Sequence, residues 1–206
     1  MWTESDTGQA DSARLALFPL RTVLLPAGRL SLQVFEARYL DLVRDCLRND
    51  RSFGITWIRD GEEVMRPGSM APVLARVGCE AHIVDWDSLP NGLLGVTVEG
   101  GRRFTLQDSR QTEHGLHWGE VSWRDGGRPY HSESAMEGLR KLLSDLMEHP
   151  HVKRLGLAAA DDPALCVYQL AQLLPIDDGA RYTLLEEDDP AMRLDALLGL
   201  LEQIGN

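Results

Sequence analysis

Two hydrophobic periods divide this chain, and the border between them falls at Asp125-Gly126-Gly127. Before it, apolar residues mostly recur at every second position; after it they recur three and four apart. Side chains alternate across a strand but repeat about every 3.6 residues around a helix, so one pattern cannot serve both. The chain therefore builds a sheet first and packs helices on it afterwards. That order is α+β, not the regular alternation of a βαβ sheet.

Within the first part, Arg14 to Phe35 is strongly apolar but broken by Pro19, Pro26 and Gly28, which suits short strands. One helix interrupts: from Glu36 to Asp50, Leu40, Val43 and Leu47 share a face, while Asp41, Arg44, Asp45 and Arg48 look away. Alternation then resumes through Phe53, Ile55 and Trp57. It continues along Ala75, Val77, Cys79, Ala81 and Ile83, with Arg76, Glu80 and His82 on the opposite side. Leu94, Val96 and Val98 follow the Pro90-Asn91-Gly92 turn signal, and Phe104 and Leu106 follow Gly100-Gly101. Leu116 and Trp118 are out of phase with Val121 and Trp123, which predicts a bulge near Gly119 and Glu120. Five or six such strands predict a small antiparallel barrel or sandwich.

In the second part, Ser134 and Glu137 form a capping-box pattern, with Ser132 as the alternative cap, ahead of Met136, Leu139, Leu143 and Leu146. Asp162-Pro163 opens a second helix that stops before Pro175. A short piece from Gly179 to Glu186 precedes a last helix opening at Asp189-Pro190. Its Leu197, Leu198, Leu200 and Leu201 spread over more than one face, leaving room for contact with another chain.

Composition narrows the function. The 206 residues are 43% hydrophobic and 26% charged, which fits one globular domain with a helical appendage. A net charge of -11 disfavours both a phosphate backbone and an acidic membrane surface. Cys46, Cys79 and Cys166 form no CxxC pair and read as small buried hydrophobes. Met1 to Ala13 is polar and acidic, reads as a disordered tail, and has no signal-peptide pattern; no apolar run reaches the roughly 20 residues of a membrane span. A cytoplasmic protein is expected.

Several of these segments carry a family pattern. Leu17-Phe18-Pro19-Leu20, then Val23-Leu24-Leu25-Pro26, then Phe35-Glu36-Ala37-Arg38-Tyr39 and Phe53-Gly54-Ile55 resemble the opening of the Lon N-terminal domain. Leu89-Pro90-Asn91-Gly92, Arg102-Arg103-Phe104, Leu174-Pro175, Leu184-Leu185-Glu186 and Arg193-Leu194 continue the resemblance in order, from about residue 14 to 203. Val77-Gly78-Cys79 departs mildly, since the family usually has a small hydroxyl residue after that glycine. The resemblance implies a PUA-like antiparallel pseudo-barrel over 14–126 and a C-terminal helical bundle over 127–206. It also implies a non-enzymatic module that binds polypeptides or protein partners, with an adaptor role in proteolysis or quality control as the extension. An RNA-binding PUA-like protein is the alternative.

Lon enzymes add an ATPase and a serine-lysine peptidase, and neither is expected here. The two lysines, Lys141 and Lys153, stand in no GxxxxGK[ST] context, and no GxSxG or HExxH occurs. No cofactor and no metal is expected.

Candidate partner-binding residues are Phe35, Glu36, Arg38, Tyr39, Trp86 and Arg103. Arg and Tyr anchor interfaces well, yet Glu36, Arg38 and Tyr39 sit at a strand-to-helix junction and can equally brace it. Arg103, with Arg102, can fork onto a carboxylate or form an internal ion pair. Asp85 and Asp87 bracket Trp86, which favours its exposure. Trp118 and Trp123 are expected to pack inward. His114 and His117 form an HxxH pair without further ligands nearby in sequence, and His149 and His151 are expected at a helix C-terminus.

Overall fold

The computed structural model describes residues 12–62, 72–126 and 133–205. The alternating segments form β1 (Ser12–Leu20), β2 (Arg29–Val34), β3 (Phe53–Asp60), β4 (Val73–Ser88), β5 (Leu94–Gln111) and β6 (His117–Trp123), with α1 (Ala37–Asn49) between β2 and β3. The helical part supplies α2 (Glu133–Met147), α3 (Pro150–Arg154), α4 (Pro163–Leu173), α5 (Asp178–Glu186) and α6 (Pro190–Ile204). β1 starts inside the segment expected to be a tail, because Ser12 and Ala13 pair with Ser122 and Val121.

The strands run in the order β2-β5-β4-β3-β1-β6, and a further β5–β6 pairing joins the last strand back to β5. Five strands thus close on themselves, with β2 laid along the first half of β5. The sheet is mixed, which corrects the expectation of an antiparallel one: β1 and β3 pair in parallel, Leu17 opposite Gly54 and Leu20 opposite Trp57. The β2–α1 excursion between them is the long crossover that parallel neighbours need.

Closure leaves two apolar regions. Leu15 and Leu17 point to the narrow interior with Phe104 and Val121, while Ala16, Phe18 and Leu20 point out to the main core under the helices. The interior is so narrow that glycine is required at its wall. A Cβ on Gly54 would lie 2.8 Å from Leu17 and 2.9 Å from Phe104, and one on Gly78 would collide with the Phe104 ring. The main core is continuous from the sheet into α2, α4, α5 and α6, so the helical part is fastened to the sheet and not hung from it. All of Leu197, Leu198, Leu200 and Leu201 pack on this core.

Two local expectations are corrected. The bulge falls on β5: Leu106 pairs with Val121 and Asp108 with Glu120, so Gln107 is the extra residue and β6 stays regular. The phase slip in the sequence arises because Trp118 faces the main core and Trp123 the ring interior, on opposite sides of one strand. In the helical part, Glu133 is already helical, so Ser134 lies inside α2 and cannot cap it; Ser132 lies outside the described residues. His149 stands just past α2, its amide donating 3.0 Å to the Leu146 carbonyl, but its side chain serves the next helix, capping α3 by accepting from the His151 amide. The aspartate-proline starts hold as read: Asp162 accepts from the amides of Ala164 and Leu165, and Asp189 from that of Ala191. All three cysteines are buried and unpaired, and burial pushes their thiols up, Cys46 to about 11.

Candidate functional site

Where β5 turns away from β2, Gly100 and Gly101 interrupt the ladder, and one extra residue of β5 bulges opposite Glu80. The bulge and the β1–β2 connection face the N-terminal end of α4 across a cleft of about 730 Å³. Pro26, Ala27, Ala164 and Leu165 give it apolar walls, and Glu80, His82, Arg102 and Tyr168 contribute polar groups. A largely apolar concavity with a few placed polar groups is the usual form of a binding site.

The cleft is held open by backbone ties. Ala27 sits at φ 55, in the left-handed region that alanine rarely visits. Its amide donates 2.7 Å to the Gly100 carbonyl, and its carbonyl accepts from Gln169 Nε2 at 3.1 Å. The Leu25 amide donates 2.9 Å to Gln172 Oε1, so two glutamines of α4 fix the β1–β2 connection. The Val77 amide donates to the Tyr182 hydroxyl, which fixes α5 to β4.

The charges around the cleft are mostly spent on one another. Glu80 is buried and accepts from Ser52 Oγ at 2.7 Å and Arg102 Nε at 3.0 Å. Burial opposes its ionisation, but the hydrogen bonds of Arg102 and Ser52 outweigh that and hold the carboxyl below its ordinary range. The Arg102 guanidinium lies 3.7 Å over the Trp123 ring. Glu99 is paired with Arg29 at 2.8 Å, and Asp162 is occupied as the cap of α4. At the back of the cleft, Tyr168 is only 3% exposed and its hydroxyl has no hydrogen-bond partner among the described residues. Burial pushes that hydroxyl up to about 12, so it stays neutral and able to donate.

Of the candidates read from sequence, Phe35, Glu36 and Tyr39 line a second, smaller cavity of about 240 Å³, Arg103 lines the cleft, and Trp86 lies apart from both. Tyr39 is buried and stacks on Phe18 at 3.9 Å between centroids. Arg38 lies 4.5 Å over the Tyr39 ring, pairs with Glu36 and donates 2.7 Å to the Gly115 carbonyl. Glu36 is at the cap position of α1 but makes no side-chain cap bond. These three brace the helix against the β5–β6 turn, while Phe35 is 55% exposed. Trp86 is 59% exposed on the β4–β5 hairpin, away from the cleft. Arg103 reaches the cleft wall but is itself buried. It donates to the carbonyls of Leu185, Glu187 and Asp125 at 2.8–2.9 Å and to Asp188 at 3.1 Å. His114 and His117 join no cluster of three or more potential metal ligands among the described residues.

Sequence reasoning missed Tyr168 because it reads as one apolar position of α4. Its signal is structural: an unsatisfied hydroxyl. The Gly100-Gly101 step was visible, but only as a strand break.

The same architecture recurs in known proteins. Residues 14–203 match the model of the ATP-dependent protease La (LON) substrate-binding domain. The chain belongs to the Lon substrate-binding domain family. A Lon N-terminal domain protein from Xanthomonas campestris, solved by crystallography, is 40% identical with a TM-score of 0.70, covering 91% of this chain and 98% of that one. The N-terminal domain of a Mycobacterium avium complex Lon protease shares the fold at 13% identity and a TM-score of 0.65, over 91% of this chain and 97% of that chain. A Lon protease of Cytophaga hutchinsonii is 23% identical over 198 residues, which are 92% of this chain and 24% of that protein. This Lon-type chain thus spans about a quarter of that relative's length, and only the substrate-binding domain is matched. Among the described residues, no helix is long and apolar enough to cross a membrane.

Proposed function

We propose that this chain is a non-catalytic polypeptide-binding module, acting as an adaptor that presents clients in proteolysis or protein quality control. The single observation that carries the reading is the match of nearly the whole chain to the Lon substrate-binding domain. The five-strand closure with an appended strand suits the PUA-like label, with a β-rich subdomain over 14–126 and a helical one over 127–206. A cleft at the seam between them is the natural place for a partner. The net charge of -11 speaks against an RNA backbone as that partner and fits a cytoplasmic client-binding role better.

The test is titration of the protein into a fluorophore-labelled globular protein that has been reduced and carboxymethylated to keep it unfolded. Saturable binding in the micromolar range, absent with the same protein folded, is the expected result. Retention of RNA that weakens steeply with salt, with no binding to the unfolded probe, would replace this reading.

A further inference from the structure

A strand carries a row of main-chain donors and acceptors along each side, and a row without a partner strand is a template for another chain. Among the described residues, β2 is the one strand with a single neighbour: β1, β3, β4 and β6 each have two, and β5 has three. The register says which groups face the open side. The Gly100 amide donates 2.9 Å to the Gly28 carbonyl, so Arg29 and Glu99 are opposed without bonding each other. Alternation then turns the main-chain groups of Leu30, Leu32 and Val34 toward β5, and those of Ser31 and Gln33 away from it. Nothing else among the described residues hydrogen-bonds these outward groups.

Open edges are usually guarded by charge, proline or a bulge. The outer part of β4, which also pairs with β5 alone, is guarded in two ways. A bulge falls between Ile83 and Asp85, and Asp85 and Asp87 stand exposed on it. β2 has no such guard. Its register with β5 is unbroken from Arg29 to Val34, Ser31 and Gln33 are exposed, and Leu30 to Phe35 holds neither a charge nor a proline.

The same edge borders the cavity of about 240 Å³. Five consecutive residues, Ser31 to Phe35, line it. Successive side chains leave a strand on opposite faces, so a cavity touched by five in a row runs along the main chain. Its far wall is apolar, from Phe18 and Leu20, and its one carboxylate, Glu36, is already paired with Arg38.

The occupant is specified twice over. Alternating main-chain donors and acceptors are matched by another extended main chain, and an apolar cavity without a free charge by an apolar side chain on it. A second copy of this chain does not supply both. Its own Leu32 and Val34 are packed on its own core and would leave the cavity empty.

We propose that an extended, apolar polypeptide segment adds to β2 as an extra strand, bonding the main chain of Ser31 and Gln33 and placing a side chain against Phe18 and Leu20. The assignment rests on the polypeptide-binding reading above and adds a contact separate from the seam cleft.

Gln33→Pro removes an outward N–H and sets a proline on the open edge without breaking a bond to β5. The variant keeps the wild-type urea midpoint and binds the unfolded, carboxymethylated probe about tenfold more weakly, the worth of one or two hydrogen bonds. Phe35→Ser, at the rim of the cavity, weakens binding several-fold through lost apolar contact, whereas Trp86→Ala leaves it unchanged. A Gln33→Pro variant with an unchanged midpoint and full affinity overturns the assignment, and so does a Phe35→Ser variant with full affinity. Where Gln33→Pro lowers the midpoint, Phe35→Ser alone decides. A wild type that sediments as a dimer, and as a monomer after Gln33→Pro with probe binding unchanged, gives the edge to a second copy and overturns the assignment too. Wherever the wild type itself binds, polypeptide binding stands. Failure of the wild type to bind the probe overturns both.

Discussion

Arg103 and Phe104 are neighbours in the chain and lie in the two most different environments of the molecule. Phe104 fills the interior of the closed ladder with Leu17 and Val121, edge-on to Trp123, in a space so tight that Gly54 and Gly78 must be bare. Arg103 points the other way, into the seam, where it holds three backbone carbonyls and Asp188 around the α5–α6 link. The ring is closed by shape and stabilised by removing apolar surface from water. The seam is closed by directed polar bonds and leaves a cleft with one hydroxyl unmatched. In the polypeptide-binding role proposed above, the ring would supply rigidity and the seam the polar variety that recognition needs.

The largest effect should come from the ring. Phe104→Ala empties an interior that cannot collapse around the hole, because the strand ladder is closed. A loss of about 3–5 kcal/mol in urea unfolding is expected. Gly78→Ala should act in the opposite sense on the same space, overpacking it for about 1–3 kcal/mol. If Phe104→Ala costs under about 1 kcal/mol, the interior is not the rigid part.

The seam should respond less and differently. Arg103→Leu leaves the carbonyls of Leu185 and Asp125 without this donor, while that of Glu187 keeps its bond from Arg193, at a cost of about 2–3 kcal/mol after partial rehydration. Its signature is local: amide exchange in α5 should accelerate before that of β3 and β4, as the helical part loosens from the sheet. Uniform exchange across both would erase the distinction between the two regions.

Much of this contrast was legible in the sequence. Period alone placed α1, β3 and β6 to within a few residues, and the aspartate-proline helix starts, because those signals are local; it ended β4 five residues early and split the single strand β5 at Gly100-Gly101. The parallel β1–β3 pair was not legible, since register between strands some 30 residues apart is decided by tertiary packing and not by either strand. Trp118 and Trp123 misled for a related reason. A strand of a closed ladder with helices outside is apolar on both faces, so its alternation vanishes and imitates a bulge. The cleft was legible only as a place. Glu36, Arg38 and Tyr39 are conspicuous in sequence but saturate one another, while Tyr168 is inconspicuous and left unmatched.

Acid should weaken the ring's mouth. His117 lies there with Leu74, Arg76, Leu106 and Asp108, and burial, helped by the Arg38 charge, lowers its pKa below the ordinary 6.5. The unfolded chain then takes up a proton that the folded one refuses, so the histidine's contribution is intact at neutral pH. It is lost as pH falls through 6.5 toward the depressed folded value. Unfolding midpoints measured from pH 7.5 down to 5.5 should decline, and His117→Gln should flatten that decline. Below this window the carboxyls of Glu80 and Asp188 take over, since arginine partners hold both under their ordinary range despite the opposing effect of burial, and their stabilisation is lost on protonation. An unchanged slope in the variant would move the acid sensitivity from the ring to the seam.

The smallest effects should come from the two exposed aromatics, Phe35 and Trp86. Neither lies within the ring or the cleft, and each already meets solvent over more than half its surface. Phe35→Ser and Trp86→Ala should each change stability by no more than about 0.5 kcal/mol. Such neutrality makes them sharp probes, because any loss of partner binding cannot be blamed on the fold. If recognition lies in the seam, both variants bind the unfolded probe as the wild type does. If Trp86→Ala weakens binding, the β4–β5 hairpin carries the contact and the seam does not.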